Sequence, residues 1–220
     1  MLPIALMLFG GLCLAFALHD GRDEEPDDPP ILGDDTDNTL LGTEGDDQIL
    51  ALAGNDRLSG AAGNDALDGG AGRDSLYGGL GDDSLFGGTG PGVLDGGEGR
   101  DLLQVLQGFG QLDGGAGDDR LISVGPNQLI GNDGNDIFQF DVLENDDQPY
   151  PTLMDFTPGQ DKVEIHYTPV PGSEPEVFLN PDPSAEGANS YLEFNGRIIA
   201  YVIGEFGLGA QDIILVPKTT

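Results

Sequence analysis

The sequence predicts an all-β fold: a coil of short strands followed by a small C-terminal β cap. Three observations predict it. Residues 33–139 repeat with a period of nine; one position in each nine is a large apolar residue; and beyond residue 139 the pattern changes to the two-residue alternation of ordinary strands. The repeat reads Gly-Gly-x-Gly-x-Asp-x-U-x, where U is apolar. It is clearest in Gly69-Gly-Ala-Gly-Arg-Asp-Ser-Leu-Tyr77 and Gly78-Gly-Leu-Gly-Asp-Asp-Ser-Leu-Phe86.

Twelve units start at residues 33, 42, 51, 60, 69, 78, 87, 96, 105 and 114, then at 123 (one residue short) and at 131. The apolar column is Leu40, Ile49, Leu58, Leu67, Leu76, Leu85, Leu94, Leu103, Leu112, Leu121, Leu129 and Phe138, without a polar exception. One apolar residue in nine is too sparse for a helix face or a strand alternation. It suits a coil in which each short strand turns one side chain inward, so that stacking of neighbouring units buries the column.

Two columns flank that core. The central glycines are Gly45, Gly54, Gly63, Gly72, Gly81, Gly90, Gly99, Gly108, Gly117, Gly125 and Gly134, with Thr36 in the first unit. A tight turn recurring every nine residues needs positive φ, which glycine reaches without steric cost. Two residues further on stand Asn38, Asp47, Asp56, Asp65, Asp74, Asp83, Gly92, Asp101, Gly110, Asp119, Asn127 and Asp136. Stacked at strand spacing, about 4.7–4.9 Å, such a row of carboxylates repels itself unless a cation neutralises it. Calcium takes six to eight oxygens in tolerant geometry and accepts the carbonyls that glycine turns expose, whereas magnesium demands a tighter octahedron. Zinc is disfavoured because the repeats lack Cys and His. The candidate ligands are therefore Asp47, Asp56, Asp65, Asp74, Asp83, Asp101, Asp119 and Asp136, with the turns at Gly45, Gly63, Gly72, Gly81, Gly99 and Gly117, and the expected cofactor is Ca2+.

These tandem units resemble the RTX, or hemolysin-type, calcium-binding repeat family. The resemblance implies a right-handed parallel β-roll in which two nonapeptides make one turn, successive units lie on opposite edges, and ions sit between turns. The acidic column then divides into a complete edge, Asp47, Asp65, Asp83, Asp101, Asp119 and Asp136, and a decaying one, Asn38, Asp56, Asp74, Gly92, Gly110 and Asn127. Up to five ion sites are expected on the first and one or two, near Asp56 and Asp74, on the second. Pro91, Phe109 and Pro126 fall in turns of the decaying edge, where no ion has to be held.

The remainder of the chain divides around this roll. Residues 2–18 are apolar throughout and end at His19-Asp20. Their length lies between a short spanning helix and a signal peptide's apolar part, so residues 1–19 read as an uncleaved membrane anchor or a signal cleaved after Ala15-Phe-Ala17. Cys13, the one cysteine, lies inside this segment, which excludes an intrachain disulfide; the large Leu12 before it argues against lipidation. Residues 20–32 form an acidic, Pro-rich linker.

Residues 140–220 form the expected cap. Asp155-Phe-x-x-Gly159-x-Asp161-Lys-Val-x-Ile165 resembles the segment that closes many RTX rolls of secreted bacterial proteins. Asn195-Gly196 between two apolar alternations predicts a hairpin. The final stretch, Gly207 to Val216, resembles the C-terminal region that carries the type I secretion signal in those proteins.

Composition narrows the function. A formal charge of -32, from 40 acidic and 8 basic residues in 220, argues against nucleic acid and for cations. It also opposes compaction of the unliganded chain, so that folding is expected to be coupled to calcium. The chain contains no His-Glu-x-x-His, Gly-x-Ser-x-Gly or Walker loop. His19 and His166 stand apart, His166 reading as a surface strand residue, and the pairs Asp46-Asp47, Asp82-Asp83 and Asp118-Asp119 are already explained by the repeat. The expected function is a calcium-binding, non-enzymatic RTX protein outside a bacterial cell or on its surface. The alternatives are a polysaccharide-binding or polysaccharide-modifying accessory module and a calcium-dependent adhesin.

Overall fold

A computed structural model describes residues 29–142, 150–172, 174–181, 190–203 and 208–218. The apolar segment 2–18 with Cys13, and the greater part of the acidic linker, lie outside the described residues. Among those described, no helix is long and apolar enough to cross a membrane.

The fold follows from the repeat. Each nonapeptide turns at its glycines and then runs straight for about three residues, burying the central apolar one and leaving its neighbours half-exposed, as in Gln48–Leu50, Ala66–Asp68 and Ser84–Phe86. Alternate units feed alternate sheets. One sheet stacks Ile31–Leu32, Gln48–Leu50, Ala66–Asp68, Ser84–Phe86, Leu102–Val105, Arg120–Ser123, Ile137–Asp141, Lys162–Tyr167 and Ile213–Pro217, all parallel. The facing sheet stacks Thr39–Leu41, Arg57–Ala62, Ser75–Leu80, Gly92–Glu98, Gly110–Ala116, Gln128–Asp133, Thr152–Leu153 and Arg197–Val202, also parallel. Partners stand 18 residues apart, as in Leu58↔Leu76 and Leu67↔Leu85, so two nonapeptides make one turn of a parallel β-roll. The short unit at 123 changes the spacing to 17 at Leu112↔Leu129 and Leu121↔Phe138 without breaking the column.

From Ile49 to Phe138 every member of the apolar column is fully buried. At about 1.5–3 kcal/mol for each buried Leu, Ile or Phe side chain, this single file is the main apolar term holding the turns together. Leu40, in the first turn, is only partly buried because nothing stacks beyond it.

The parallel stacking runs past residue 139 into the C-terminal region. Phe138 packs on Phe156 with ring centroids 6.0 Å apart, and Val163 continues the column above it. The second sheet then changes direction: Arg197–Val202 pairs antiparallel with Ser190–Phe194, which pairs antiparallel with Val177–Pro181. The predicted hairpin turns at Asn195 and Gly196 with φ of 49° and 78°, both positive as that turn requires. These strands form the expected β cap, occupying the sheet edge that the last repeat would leave open. Buried Asp212 fastens the final strand to the cap, accepting from Lys162 Nζ at 3.0 Å and from the backbone N–H groups of Gly209 and Gly159 at 3.0 and 3.2 Å. His166 lies half-buried on the outer face of its strand, against Glu164 and 3.9 Å from Asp141 Oδ1.

Candidate cation ladder

The glycine turns bring the aspartates of one edge into a continuous ladder. The backbone N–H of Asp47 donates to Oδ1 of Asp65 at 2.8 Å; Asp65 donates likewise to Asp83, Asp83 to Asp101, Asp101 to Asp119 and Asp119 to Asp136, all at 2.7–2.9 Å. On the opposite edge Asn38 donates to Asp56 and Asp56 to Asp74, at 2.7 and 2.9 Å. Gly92 and Gly110 follow, which have no acceptor side chain. Asn127 lies buried at the end of this edge, its Nδ2 donating to Ser123 Oγ at 2.9 Å.

One oxygen of each carboxylate is thus used. The other is not: Oδ2 of Asp56, Asp65, Asp74, Asp83, Asp101, Asp119 and Asp136 is buried without a hydrogen-bond partner. These seven side chains are at most 3% exposed. A buried carboxylate with half of its acceptor capacity unmet costs several kcal/mol unless a counter-charge is supplied. Burial, and beyond it the neighbouring aspartates, push the acid of Asp65, Asp74, Asp83, Asp101 and Asp136 up to about 6 and that of Asp119 to about 7, against the pull of the ladder hydrogen bonds.

The first glycine of the repeat makes room for these oxygens. A Cβ at Gly60, Gly78, Gly96, Gly114 or Gly131 would come within 2.0–2.4 Å of Oδ2 on the aspartate five residues on. The central glycines face a different neighbour. Gly63, Gly72, Gly81, Gly99 and Gly117 all have positive φ, and a Cβ at Gly81 or Gly99 would lie 2.1 or 2.0 Å from the carbonyl oxygen of the glycine one turn below. The exception is Gly45, which lies outside the positive-φ region and would tolerate a Cβ, whose nearest neighbour would be 3.8 Å away. The expectation of a uniform glycine column fails there because the turn at 42–47 has a different conformation, with Gly45 N–H donating to Thr43 Oγ1.

A second ladder, on the residue before each aspartate, runs in the opposite sense. Asn55 N–H donates back to Asp37 Oδ1, Arg73 to Asn55, Asn64 to Asp46, Asp82 to Asn64 and Arg100 to Asp82. It explains both prolines of the decaying edge. Arg73 and Phe109 offer no side-chain oxygen to the next turn, and the residues stacked on them are Pro91 and Pro126, which have no N–H to satisfy.

The donors suit calcium. Among the described residues no three His, Cys, Asp or Glu side chains converge on a point, so a cation here would draw on one or two carboxylates and on main-chain carbonyls. Outside this edge lies an open groove of about 610 Å³ lined by Asp82, Asp83, Arg100, Asp101, Asp118 and Asp119 among others.

The ladder also includes a residue absent from the sequence-based candidates. Asp136 N–H donates to Oδ1 of Asp161 at 3.0 Å. The signal was present in Gly159-Gln-Asp161-Lys-Val163, which repeats the Gly-x-Asp-x-U spacing after an insertion. A period of nine did not reach across that insertion.

The acid shifts make a testable prediction. Their folded values lie above the ordinary 3.8, so the calcium-free folded chain binds more protons than the unfolded one between these limits. The stability they contribute is therefore complete below about 3.8 and lost as pH rises through about 6 to 7. With calcium chelated, the thermal midpoint is expected to fall as pH rises from 4 towards 7, until at neutral pH the folded state is lost. A midpoint that rises over that interval would contradict the burial of these carboxylates.

Four copies of the RTX calcium-binding nonapeptide repeat match residues 32–67, 59–94, 95–124 and 123–140. Among solved structures the chain is similar to the AlgE6R3 subunit of the Azotobacter vinelandii mannuronan C5-epimerase, at 25% identity and a TM-score of 0.26, over 88% of this chain and 86% of that one. It is also similar to the extracellular lipase LipA of Serratia marcescens, at 16% identity and a TM-score of 0.30, over 88% of this chain and 41% of that one. No curated protein sequence matches it significantly. The nine-residue period, the parallel roll with 18 residues per turn and the four repeat matches agree, and through residues 32–140 the chain belongs to the RTX calcium-binding repeat proteins.

Proposed function

We propose that this chain is a non-enzymatic calcium-binding roll that stays extended while calcium is scarce, as inside a bacterial cell, and folds outside it. The observation that carries this reading is the set of seven buried carboxylate oxygens without a partner, at Asp56, Asp65, Asp74, Asp83, Asp101, Asp119 and Asp136. Calcium would supply the missing positive charge. The chain's own part is to hold these oxygens in line through the ladder hydrogen bonds, to expose glycine carbonyls beside them, and to bury the apolar column once the repulsion is relieved. The carboxylates best placed for acid-base work are engaged otherwise: Asp82 with Arg100, Asp118 with Asn135, and Asp47 with Thr43.

An extracellular or surface location fits both the net charge of -32 and the typical secretion of RTX repeat proteins. In this reading residues 1–19 and the C-terminal region serve export or tethering, and residues 20–32 act as a spacer. Small-angle scattering tests the proposal. In chelator the radius of gyration is expected near the unfolded scale for 220 residues, roughly 50 Å, and in millimolar calcium it falls to less than half of that. A compact chain in chelator at neutral pH, unchanged by calcium, would refute the coupling.

A further inference from the structure

Building on the calcium reading, we infer that the residue four positions before each ladder aspartate decides whether that carboxylate is open to a cation. Each of the seven aspartates with a free, buried Oδ2 follows, four residues on, a residue at positive φ. These residues are Leu52, Ala61 and Asn132, at 80°, 87° and 65°, and glycine in the other four cases. Three members of the ladders are instead closed by a backbone N–H four residues back: Asp34 donates to Asn38 Oδ1 at 2.8 Å, Thr43 to Asp47 Oδ2 at 2.6 Å, and Thr157 to Asp161 Oδ2 at 2.6 Å. Asp34, Thr43 and Thr157 are not at positive φ. The correspondence holds at every one of these ten positions; in the shortened unit Asn127 departs from it, its Oδ1 buried and unpartnered although Ser123, four residues back, is not at positive φ.

The physical cause is the direction of one peptide. At negative φ the N–H turns into its own loop and reaches the carboxylate, occupying the oxygen a cation would use. At positive φ the backbone is turned away from that carboxylate: five of these positions pair with a neighbouring turn, as in Ala61↔Gly79, Gly79↔Gly97, Gly97↔Gly115 and Gly115↔Asn132, while Gly70 N–H donates to Asp68 Oδ1 at 3.0 Å and Asn132 N–H to Asp155 Oδ2 at 2.7 Å. The oxygen is then left free. Threonine is β-branched and resists positive φ, whereas glycine and asparagine accept it. At Thr43 the hydroxyl closes the site further, lying 3.0 Å from Asp47 Oδ2.

The closed residues lie where the ladders end. Asn38 and Asp47 begin the two edges and Asp161 ends the complete one, so the chain closes these three ends with its own donors, whereas the other edge runs out at Asp74, whose Oδ2 is free and which is followed by Gly92. The cation-competent positions are then five on the complete edge and two on the other, and the sequence at the fourth residue back sets that number.

The test counts calcium bound per full-length chain by equilibrium dialysis in mild detergent, with circular dichroism to confirm that each variant folds. Thr43→Gly removes both the β-branch and the hydroxyl and is expected to raise the count by one. Ala61→Thr is expected to lower it by one by closing Asp65, while Ala61→Gly leaves it unchanged. If Ala61→Thr does not fold, Thr43→Gly still decides. A count that stays at the wild-type value in Thr43→Gly overturns the inference while leaving calcium binding intact. A wild-type chain that binds no calcium at all overturns the functional reading together with the inference.

Discussion

Chelation of calcium at neutral pH is expected to abolish the β-rich circular dichroism of the chain, and titration back to roughly 10⁻⁴–10⁻³ M calcium to restore it cooperatively. The size of the effect follows from the seven carboxylates stacked at strand spacing with an unmatched buried oxygen each. Against them stands one apolar side chain per nonapeptide, and the outward residues of each strand are only half buried. A roll built from such thin layers has little apolar surplus to absorb several uncompensated charges. Neutralising the row removes the penalty in one step for neighbouring turns, because every aspartate is hydrogen-bonded to the next; hence the expected cooperativity. Magnesium at the same concentration is expected to be far less effective, since it holds its waters and a ladder of single carboxylates and carbonyls does not offer it an octahedron. A chain with the same β signal in chelator and in calcium at pH 7 would mean that some other group neutralises the row.

Two alanine substitutions in one glycine column are expected to have opposite outcomes. Gly99 has φ of 137°, and a Cβ there would sit 2.0 Å from the carbonyl oxygen of Gly81. Gly99→Ala combines a disfavoured φ with an overlap that must push two turns apart, a loss of about 2–4 kcal/mol of stability in saturating calcium. Gly45 occupies the equivalent place in its own repeat, yet its φ is ordinary and the nearest atom to a Cβ is Thr43 Oγ1 at 3.8 Å. Gly45→Ala is expected to change stability by less than about 0.5 kcal/mol. Urea unfolding in calcium measures both. Equal losses in the two variants would show that the first turn of the complete edge shares the conformation of the others.

Most of the architecture was legible because the repeat makes local and long-range information the same. Leu58 and Leu76 contact each other across 18 residues, and the period in the sequence already states that spacing. The division of the aspartates between two edges followed once two nonapeptides were assigned to a turn, and the hairpin at Asn195-Gly196 was written in a dipeptide that accepts positive φ twice. Asp161 was hidden because an insertion separates it from Asp136, so that only the fold brings the two within 3.0 Å. The differences among the aspartates were hidden for another reason. Asp47 and Asp65 are identical in the repeat, and what separates them is the direction of one backbone N–H, at Thr43 and at Ala61.

The period, the core column, the acidic column and the class of cation they suit can thus be read from residue types alone, since each is a choice repeated too regularly to have another cause. Which carboxylate oxygens are left without a partner, and where each ladder stops, emerges when the turns stack. Those depend on how one turn lies on the next, and hydrogen bonds between turns are not properties of any single repeat.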